Sequence, residues 1–372
     1  MRRRPLLAAL PVVPALIAGT ARADGDLVDV QKRAFSTRRF RLESGVVMPE
    51  ITIAYETYGT LASDGRNAVL LTHGFTSSQH MAGRYSENGA EGSWNGLVGP
   101  GKPIDTNKLF VVSSNMLGSS YGSTSPAHLN PATGHQWGPD FPDITLHDIV
   151  AAQKALLDDL GVRHLVAVAG PSFGGYQTFQ WGVSYPEFMD GLVPVVSAPR
   201  GSGGEAAVKS LIATLAKDPH WNEGWYYDNG GITATMTEMR MATLKRYGID
   251  EQLTAKFPDK AARETEIARR ALAWAKEFDG NSLIVLRKAS VRFDAEKDLG
   301  RMKAKLLYVL SRTDKVFPPT LAADVMAKLR AARVNADYYE IDSEFGHSAS
   351  GLDAAKWAPR LRAFMSELPK RS

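Results

Sequence analysis

The chain has 372 residues, of which 44% are hydrophobic, so it is long enough to bury a large core. Its net charge of +4 equals the charge of four arginines near the start, Arg2, Arg3, Arg4 and Arg22, so the rest of the chain is neutral overall. The rest also has no basic patch interleaved with aromatic residues, which argues against nucleic-acid binding. It contains no cysteine, which excludes disulfides and thiolate metal sites.

The beginning of the chain reads as an export signal. A cluster of arginines is followed by apolar residues 6–20 and by the sequence ARA at 21–23, which resembles a signal-peptide cleavage site. The apolar run is short and interrupted by two prolines, which disfavours a stable transmembrane helix, and no later segment is apolar enough to span a membrane. We therefore predict a signal peptide at 1–23 and an exported protein, periplasmic or secreted. An uncleaved anchor and a wrongly assigned start codon are the alternatives.

Strand and helix patterns alternate after this segment. The predicted strands are 38–42 and 50–58, an antiparallel pair, then 67–72, 108–113, 164–169 and 191–196. Residues 146–160 predict a helix, because they carry an apolar stripe, with Thr145 and Asp148 as a capping pair and Gly161 as the stop. Such alternation predicts a mainly parallel sheet with helices on both faces.

The loop after the strand 67–72 reads HGFT and is a candidate for binding a reacting oxygen. Gly74 allows the backbone to approach a ligand closely, and we predict the Phe75 N–H as one donor of an oxyanion hole. An ordinary strand-to-helix loop that happens to contain glycine is the alternative.

The segment 170–175 reads GPSFGG and lies between the strand 164–169 and the helix-like segment 176–184. A glycine-flanked serine between a strand and a helix is the setting of the G-x-S-x-G turn, which presents a nucleophile. The tight turn requires strained backbone angles at the serine and nearly absent neighbouring side chains. We predict Ser172 as the nucleophile and the Phe173 N–H as the second oxyanion donor; a purely structural loop is the alternative.

Strand patterns fade over residues 199–300. Helix patterns replace them at 206–217, 234–247 and 261–278. We predict a helical cap at 199–300, inserted into a core formed by 24–198 and 301–372. The earlier segment 118–142 is rich in glycine, serine and proline and predicts a long loop, and loops of that length are usually functional.

Two further side chains complete a predicted catalytic triad. Asp314 follows the strand-like segment 305–311, and His347 follows the last predicted strand, 336–341. A serine hydroxyl needs an imidazole to accept its proton, and a carboxylate orients that imidazole. The order Ser172, Asp314, His347 is the one this chemistry shows on α/β sheets. Taken singly, Asp314 could be a turn-capping residue and His347 a surface-loop histidine.

Longer blocks of sequence carry a more specific signal. They read WNGLVGPGK at 94–102, SNMLGSSYGSTSP at 114–126, GPDFP at 138–142 and FDGNS at 278–282. With the serine turn, they make the chain resemble the homoserine O-acetyltransferase family of α/β-hydrolase-fold proteins over about 45–366. The resemblance implies an α/β-hydrolase fold with an inserted helical cap and a serine acyl-enzyme. It further implies acyl-CoA as co-substrate, no metal or other cofactor, and a homodimer as a frequent assembly.

The resemblance also implies substrate-binding residues. Thr76 matches a substrate-side hydroxyl, and Arg240 and Tyr247 resemble residues that hold a carboxylate, for which a guanidinium is a suited partner. A solvated helix residue is the alternative for Arg240. The family usually has an acid after the catalytic histidine, whereas this chain has Ser348, which cannot offset an ammonium charge. Phe173 adds bulk beside the nucleophile, where methionine is common.

These residues predict an enzyme that acts on a small-molecule acyl substrate. The main hypothesis is an exported serine hydrolase that cleaves a carboxylic ester or related acyl compound through a Ser172 acyl-enzyme. The alternative is an O-acyltransferase of the homoserine O-acetyltransferase type that uses acyl-CoA. A third hypothesis is a non-catalytic binding protein on the same fold.

Overall fold

The computed structural model describes residues 26–369, so the predicted signal peptide at 1–23 lies outside the described residues. Eight strands form one sheet in the order β1-β2-β6-β3-β7-β8-β9-β10, and β4 and β5 form a separate pair. The strands are β1 (Arg33–Arg41), β2 (Val47–Tyr58), β3 (Ala68–Thr72), β4 (Val98–Gly99), β5 (Ile104–Asp105), β6 (Phe110–Ser114), β7 (Leu165–Pro171), β8 (Met189–Val195), β9 (Lys305–Ser311) and β10 (Ala336–Ile341).

The sheet is mainly parallel, as the alternating pattern predicts. Each pair of neighbouring strands from β6 to β10 in the sheet order is parallel. The two pairs at the other edge, β1 with β2 and β2 with β6, are antiparallel. Strand β1 begins at Arg33, five residues before the predicted start at 38, and Arg33 pairs with Tyr55 of β2. Most of β1 is exposed or half-buried, so its sequence lacks the apolar alternation that marks a strand.

Helices follow each of the strands β6 to β10. They are α1 (Leu146–Asp159), α2 (Phe173–Ser184), α3 (Gly204–Leu215), α4 (Thr233–Arg246), α5 (Ile249–Thr254), α6 (Lys260–Ala275), α7 (Gly280–Arg292), α8 (Leu321–Ala331), α9 (Ala349–Leu352) and α10 (Ala354–Glu367). The predicted capping pair is present on α1, where the Asp148 N–H donates to the Thr145 hydroxyl and the Asp148 carboxylate accepts from the Thr145 N–H. No helix among the described residues combines the length and apolar character needed to cross a membrane.

Apolar side chains cover both faces of the sheet. Along β3, Leu70 belongs to one buried cluster while Val69 and Leu71 belong to the other, which follows the alternation of side chains along a strand. The first cluster contains Phe179 of α2, and the second contains Trp357 of α10. The parallel strands are therefore buried on both faces, as a helix-covered sheet requires.

The helices α3 to α7 follow β8 and precede β9, and we call this segment, residues 204–292, the helical insertion. Its helix α7 places Leu286 and Ala289 in the same apolar cluster as Phe173 and Tyr176 of α2. The insertion therefore shares one core with the sheet. The domain boundaries at 198/199 and 300/301 stay predictions.

Candidate active site

Ser172 forms the turn between β7 and α2. Its backbone angles are φ 57° and ψ −120°, a strained conformation for a non-glycine residue and the one that the G-x-S-x-G pattern predicts. Two hydrogen bonds hold this turn: the Ser172 N–H donates to the Val195 carbonyl at 2.8 Å, and the Ser197 hydroxyl donates to the Ser172 carbonyl at 2.7 Å. The strained serine is thus fixed by the neighbouring strand β8 and the residues that follow it.

The glycines on either side of Ser172 are required by the close approach of β3. A Cβ atom placed on Gly170 would lie 2.2 Å from the Thr72 carbonyl oxygen, and one on Gly174 would lie 2.1 Å from the same oxygen. Both distances are far below van der Waals contact, and the obstacle is backbone that cannot rotate away. A side chain at either position would push the serine turn off the sheet.

Replacement of Gly174 by alanine is therefore expected to lower the free energy of unfolding by about 2 kcal/mol or more, through overpacking against β3. Urea denaturation of the two proteins measures the difference. Gly300→Ala is the matched control, because a Cβ atom there meets nothing within 4 Å. Equal unfolding midpoints for the two variants would show that the contact with Thr72 does not constrain the turn.

His347 and Asp314 form a buried hydrogen-bonded pair. The His347 Nδ1 atom lies 2.8 Å from the Asp314 Oδ2 atom. The other carboxylate oxygen, Oδ1, accepts hydrogen bonds from the N–H groups of Val316 at 2.7 Å and Phe317 at 3.2 Å. The carboxylate is thereby fixed, and it holds the proton of the imidazole on Nδ1. The Nε2 atom remains available as a base toward Ser172.

Ser172 and His347 line one cavity of about 280 Å³, a volume at the lower end of small-molecule sites. The His347 ring is buried and lies close to two aromatic rings, with centroid distances of 4.7 Å to Tyr247 and 5.8 Å to Phe317. The structure brings together on this cavity the predicted residues Phe75, Thr76, Ser172, Arg240, Tyr247, His347 and Ser348.

The predicted oxyanion donors lie next to the nucleophile. Phe173 directly follows Ser172, and a Cβ atom placed on Gly74 would lie 3.7 Å from Ser172 Cβ, so the loop after β3 passes beside the serine. Within residues 26–369, neither the Phe75 N–H nor the Phe173 N–H donates a hydrogen bond to the protein. The two rings stack at 5.7 Å. Two unpaired donors beside a nucleophile are suited to bind the oxygen of a tetrahedral intermediate.

His73 supports this loop, and we did not predict it from the sequence. Its buried ring lies between two oxygens, with Nδ1 2.8 Å from the Gly74 carbonyl and Nε2 2.7 Å from Asn115 Oδ1. Burial lowers its pKa to about 4, so the ring is neutral at pH 7. The Gly74 carbonyl faces the ring, so the Phe75 N–H of the same trans peptide points away from it. A histidine directly before the glycine of the predicted loop was the available signal.

Arg240 of α4 is anchored against the loop after β3. Its Nη1 donates to the Thr76 hydroxyl at 2.8 Å, and its guanidinium carbon lies 4.9 Å from the centre of the Trp274 ring. Trp274 in turn donates from Nε1 to the Thr76 carbonyl at 3.2 Å. Burial lowers the pKa of Arg240 from its usual value, and its Nε atom is buried without a hydrogen-bond partner. Arg240 is therefore a cavity residue and not a solvated surface arginine.

Other cavity residues come from segments whose role the sequence did not indicate. Leu244 and Gln252 reach the cavity from the insertion, and Trp94 and Leu352 reach it from the core. Gln252 lies on α5, a short helix that the periodic pattern did not predict. Among the described residues, no group of three or more histidine, cysteine or acidic side chains is arranged to hold a metal ion.

Comparisons with known proteins point to one family. A family model described as alpha/beta hydrolase fold matches residues 67–354. The chain is 36% identical over 349 residues to a homoserine O-acetyltransferase of Moorella thermoacetica, covering 88% of this chain and 93% of that one. It is similar in structure to homoserine O-acetyltransferase from Bacillus anthracis (TM-score 0.83, 26% identity, 92% of this chain and 99% of that chain). It is equally similar to esterase E22 (TM-score 0.83, 29% identity, 90% and 100%).

Proposed function

This chain belongs to the α/β-hydrolase family and, within it, to the homoserine O-acetyltransferase family, and on that premise we propose that it transfers an acyl group through Ser172 to the hydroxyl group of a small carboxylic-acid acceptor. The chain is thus an α/β-hydrolase-fold enzyme, and acyl transfer, the alternative in the sequence-based interpretation, is better supported than ester hydrolysis. The observation that carries the proposal is that His347, held by Asp314, lines the same cavity as the strained Ser172.

The first half of the reaction forms the acyl-enzyme. The Ser172 oxygen attacks the acyl carbonyl carbon, and its proton passes to His347 Nε2. The carbonyl oxygen becomes negatively charged and accepts hydrogen bonds from the N–H groups of Phe75 and Phe173. The bond to the leaving group then breaks, and the leaving thiolate or alkoxide takes the proton from His347. Asp314 stabilises the imidazolium while it is charged.

The second half repeats these steps with the acceptor. The acceptor hydroxyl gives its proton to His347 Nε2 and attacks the acyl carbon, and the proton returns to the Ser172 oxygen as that bond breaks. Arg240 offers a guanidinium for the carboxylate of the acceptor, since it lines the cavity and has no carboxylate among its hydrogen-bond partners within residues 26–369. Transfer competes with attack by water, so the acceptor must be held in place before water reaches the acyl carbon.

The test follows release of CoA from acetyl-CoA with and without added hydroxy acids. We expect release to depend on the acceptor, parallel double-reciprocal plots for the two substrates, and a mass increase of one acetyl group on the enzyme when the acceptor is omitted. Release that is unchanged by any hydroxy acid, with no O-acylated product, would contradict acyl transfer.

Ester hydrolysis is the second candidate function, because the chain is also similar in structure to esterase E22. Hydrolysis uses the same residues, with water replacing the acceptor in the second half. Turnover of p-nitrophenyl acetate that hydroxy acids neither accelerate nor divert into a new ester would favour hydrolysis.

The cellular location and the homodimer both stay predictions. Export would separate the enzyme from cytosolic acyl-CoA, so the donor in the test is supplied both as acetyl-CoA and as an activated acetyl ester. Cell fractionation with an antibody against the chain, and size-exclusion chromatography with light scattering, measure location and assembly.

A further inference from the structure

The charges at the cavity are of one sign. Among the residues that line it, Arg240 carries a fixed charge and no aspartate or glutamate is present. The Arg240 guanidinium is held by the neutral hydroxyl of Thr76 and the face of Trp274, not by a carboxylate. A buried guanidinium without a counter-ion favours a ligand that brings a negative charge.

The surroundings of Tyr247 extend this observation. Its ring lines the cavity, and the charged groups whose field acts on it are Arg240, Arg246, Arg287 and Asp314. The carboxylate of Asp314 is not available to a ligand, because one oxygen contacts His347 and the other accepts hydrogen bonds from two backbone N–H groups. Arg246 and Arg287 do not line the cavity, so the uncompensated charge that lines it is the guanidinium of Arg240.

Two acidic residues of the insertion, Glu277 and Glu251, do not change this balance. Glu277 acts on the Tyr121 hydroxyl and is exposed, and Glu251 is exposed beside Gly248. Neither of them lines the cavity. Ser348, which follows His347, lines the cavity with a neutral hydroxyl. A ligand ammonium group would thus find the guanidinium of Arg240 and no carboxylate partner in this cavity.

We infer that the preferred acceptor carries a carboxylate and a hydroxyl group but no ammonium group, and that Ser348 is a determinant of this preference. That the ligand is an acceptor rests on the proposed acyl transfer, whereas the preference for a ligand without an ammonium group follows from the charges at the cavity. An ammonium in this cavity would lose hydration, lie near the like charge of Arg240 and gain no counter-ion. An otherwise identical acid without the amine avoids each of these costs.

The test uses two ligands that differ in the ammonium group, 4-hydroxybutanoate and L-homoserine. Their binding to the full chain is measured by calorimetry without an acyl donor, so that no reaction occurs. We expect 4-hydroxybutanoate to bind about tenfold more tightly or better. Equal binding, tighter binding of L-homoserine, or no binding of either ligand would overturn the inference.

Two variants test the part played by Ser348. Ser348→Asp adds a carboxylate at the cavity and is expected to shift the ratio of the two dissociation constants toward L-homoserine by about tenfold. Ser348→Asn adds similar bulk without charge and should keep the wild-type preference. The ratio is taken within each protein, so a difference in the folded fraction cancels. A ratio that is the same in the Asp and Asn variants would remove Ser348 as a determinant.

The binding test and the test of acyl transfer fail in different ways. If neither ligand becomes acylated but 4-hydroxybutanoate still binds more tightly, the proposed acyl transfer is wrong and the ligand preference stands. If acyl transfer occurs with equal preference for both ligands, the proposed function stands and the inference on the ammonium group is wrong.

Discussion

Ser172→Ala is expected to lower kcat/KM for acyl transfer by about 10⁴-fold or more, because the covalent route through an acyl-enzyme is removed. Intact-mass spectrometry should then show no acetyl group on the protein after incubation with acetyl-CoA. Binding of a carboxylate ligand should persist, since Arg240 and the cavity are unchanged.

Ser184→Ala is the matched control, because Ser184 ends the same helix and does not line the catalytic cavity. We expect wild-type kinetics for this variant. Activity of Ser172→Ala within tenfold of wild type, or acetylation retained at full level, would rule out Ser172 as the nucleophile.

Asp314→Asn is expected to lower kcat by roughly 10⁴-fold with little change in KM. The amide has the size of the carboxylate but cannot stabilise the imidazolium, and its NH₂ group can turn toward His347 Nδ1. The ring would then carry its proton on Nε2, where it cannot accept the serine proton. Rates of acylation by p-nitrophenyl acetate, measured in the pre-steady state, isolate this step.

Asp342→Asn provides a control at the end of the neighbouring strand. Asp342 pairs with Arg312 at 2.7 Å, and its side chain is 85% exposed, so its loss should leave activity near the wild-type value. Circular dichroism and urea denaturation distinguish a positioning effect of Asp314 from unfolding. If Asp314→Asn loses activity only in proportion to its unfolded fraction, the carboxylate has no part in the chemistry.

The catalytic residues could be predicted because each follows a strong local pattern. Buried parallel strands are continuous apolar runs, and the residues at their carboxyl ends meet at one edge of the sheet. Ser172 and Asp314 follow such strands. His347 follows β10, which is less buried but was still predicted as a strand from its sequence. The order in the chain then assigned a role to each residue.

The elements that were missed lack such patterns. Helix α7 was not predicted, because most of its residues are buried and little polar face remains to reveal the period of a helix. Helix α5 has six residues, too few for periodicity to show. The contact between His73 and Asn115 joins two loops that are distant in sequence, and no local signal reports a contact of that kind.

The choice between transfer and hydrolysis could not be made from catalytic residues, because both reactions use the same ones. The sequence-based interpretation placed hydrolysis first because Ser348, Phe173 with Pro171, and the predicted export signal depart from the family pattern. The relatives favour the transferase alternative. Ser348 is better explained by the choice of acceptor, since a missing carboxylate alters which ligands bind without altering the nucleophile or its base.

The shared core of the insertion and the sheet limits how this enzyme could be re-engineered. Leu286 of α7 packs in the cluster that contains Phe173, beside the nucleophile. Exchanging residues 204–292 for the equivalent segment of another protein would replace the side chains that α7 contributes to that cluster and leave mismatched volumes next to the serine turn. Single substitutions on the cavity side of α4 and α5 are therefore a better route to new substrate selectivity than chimeras. Leu244 and Gln252 line the cavity there and are partly exposed.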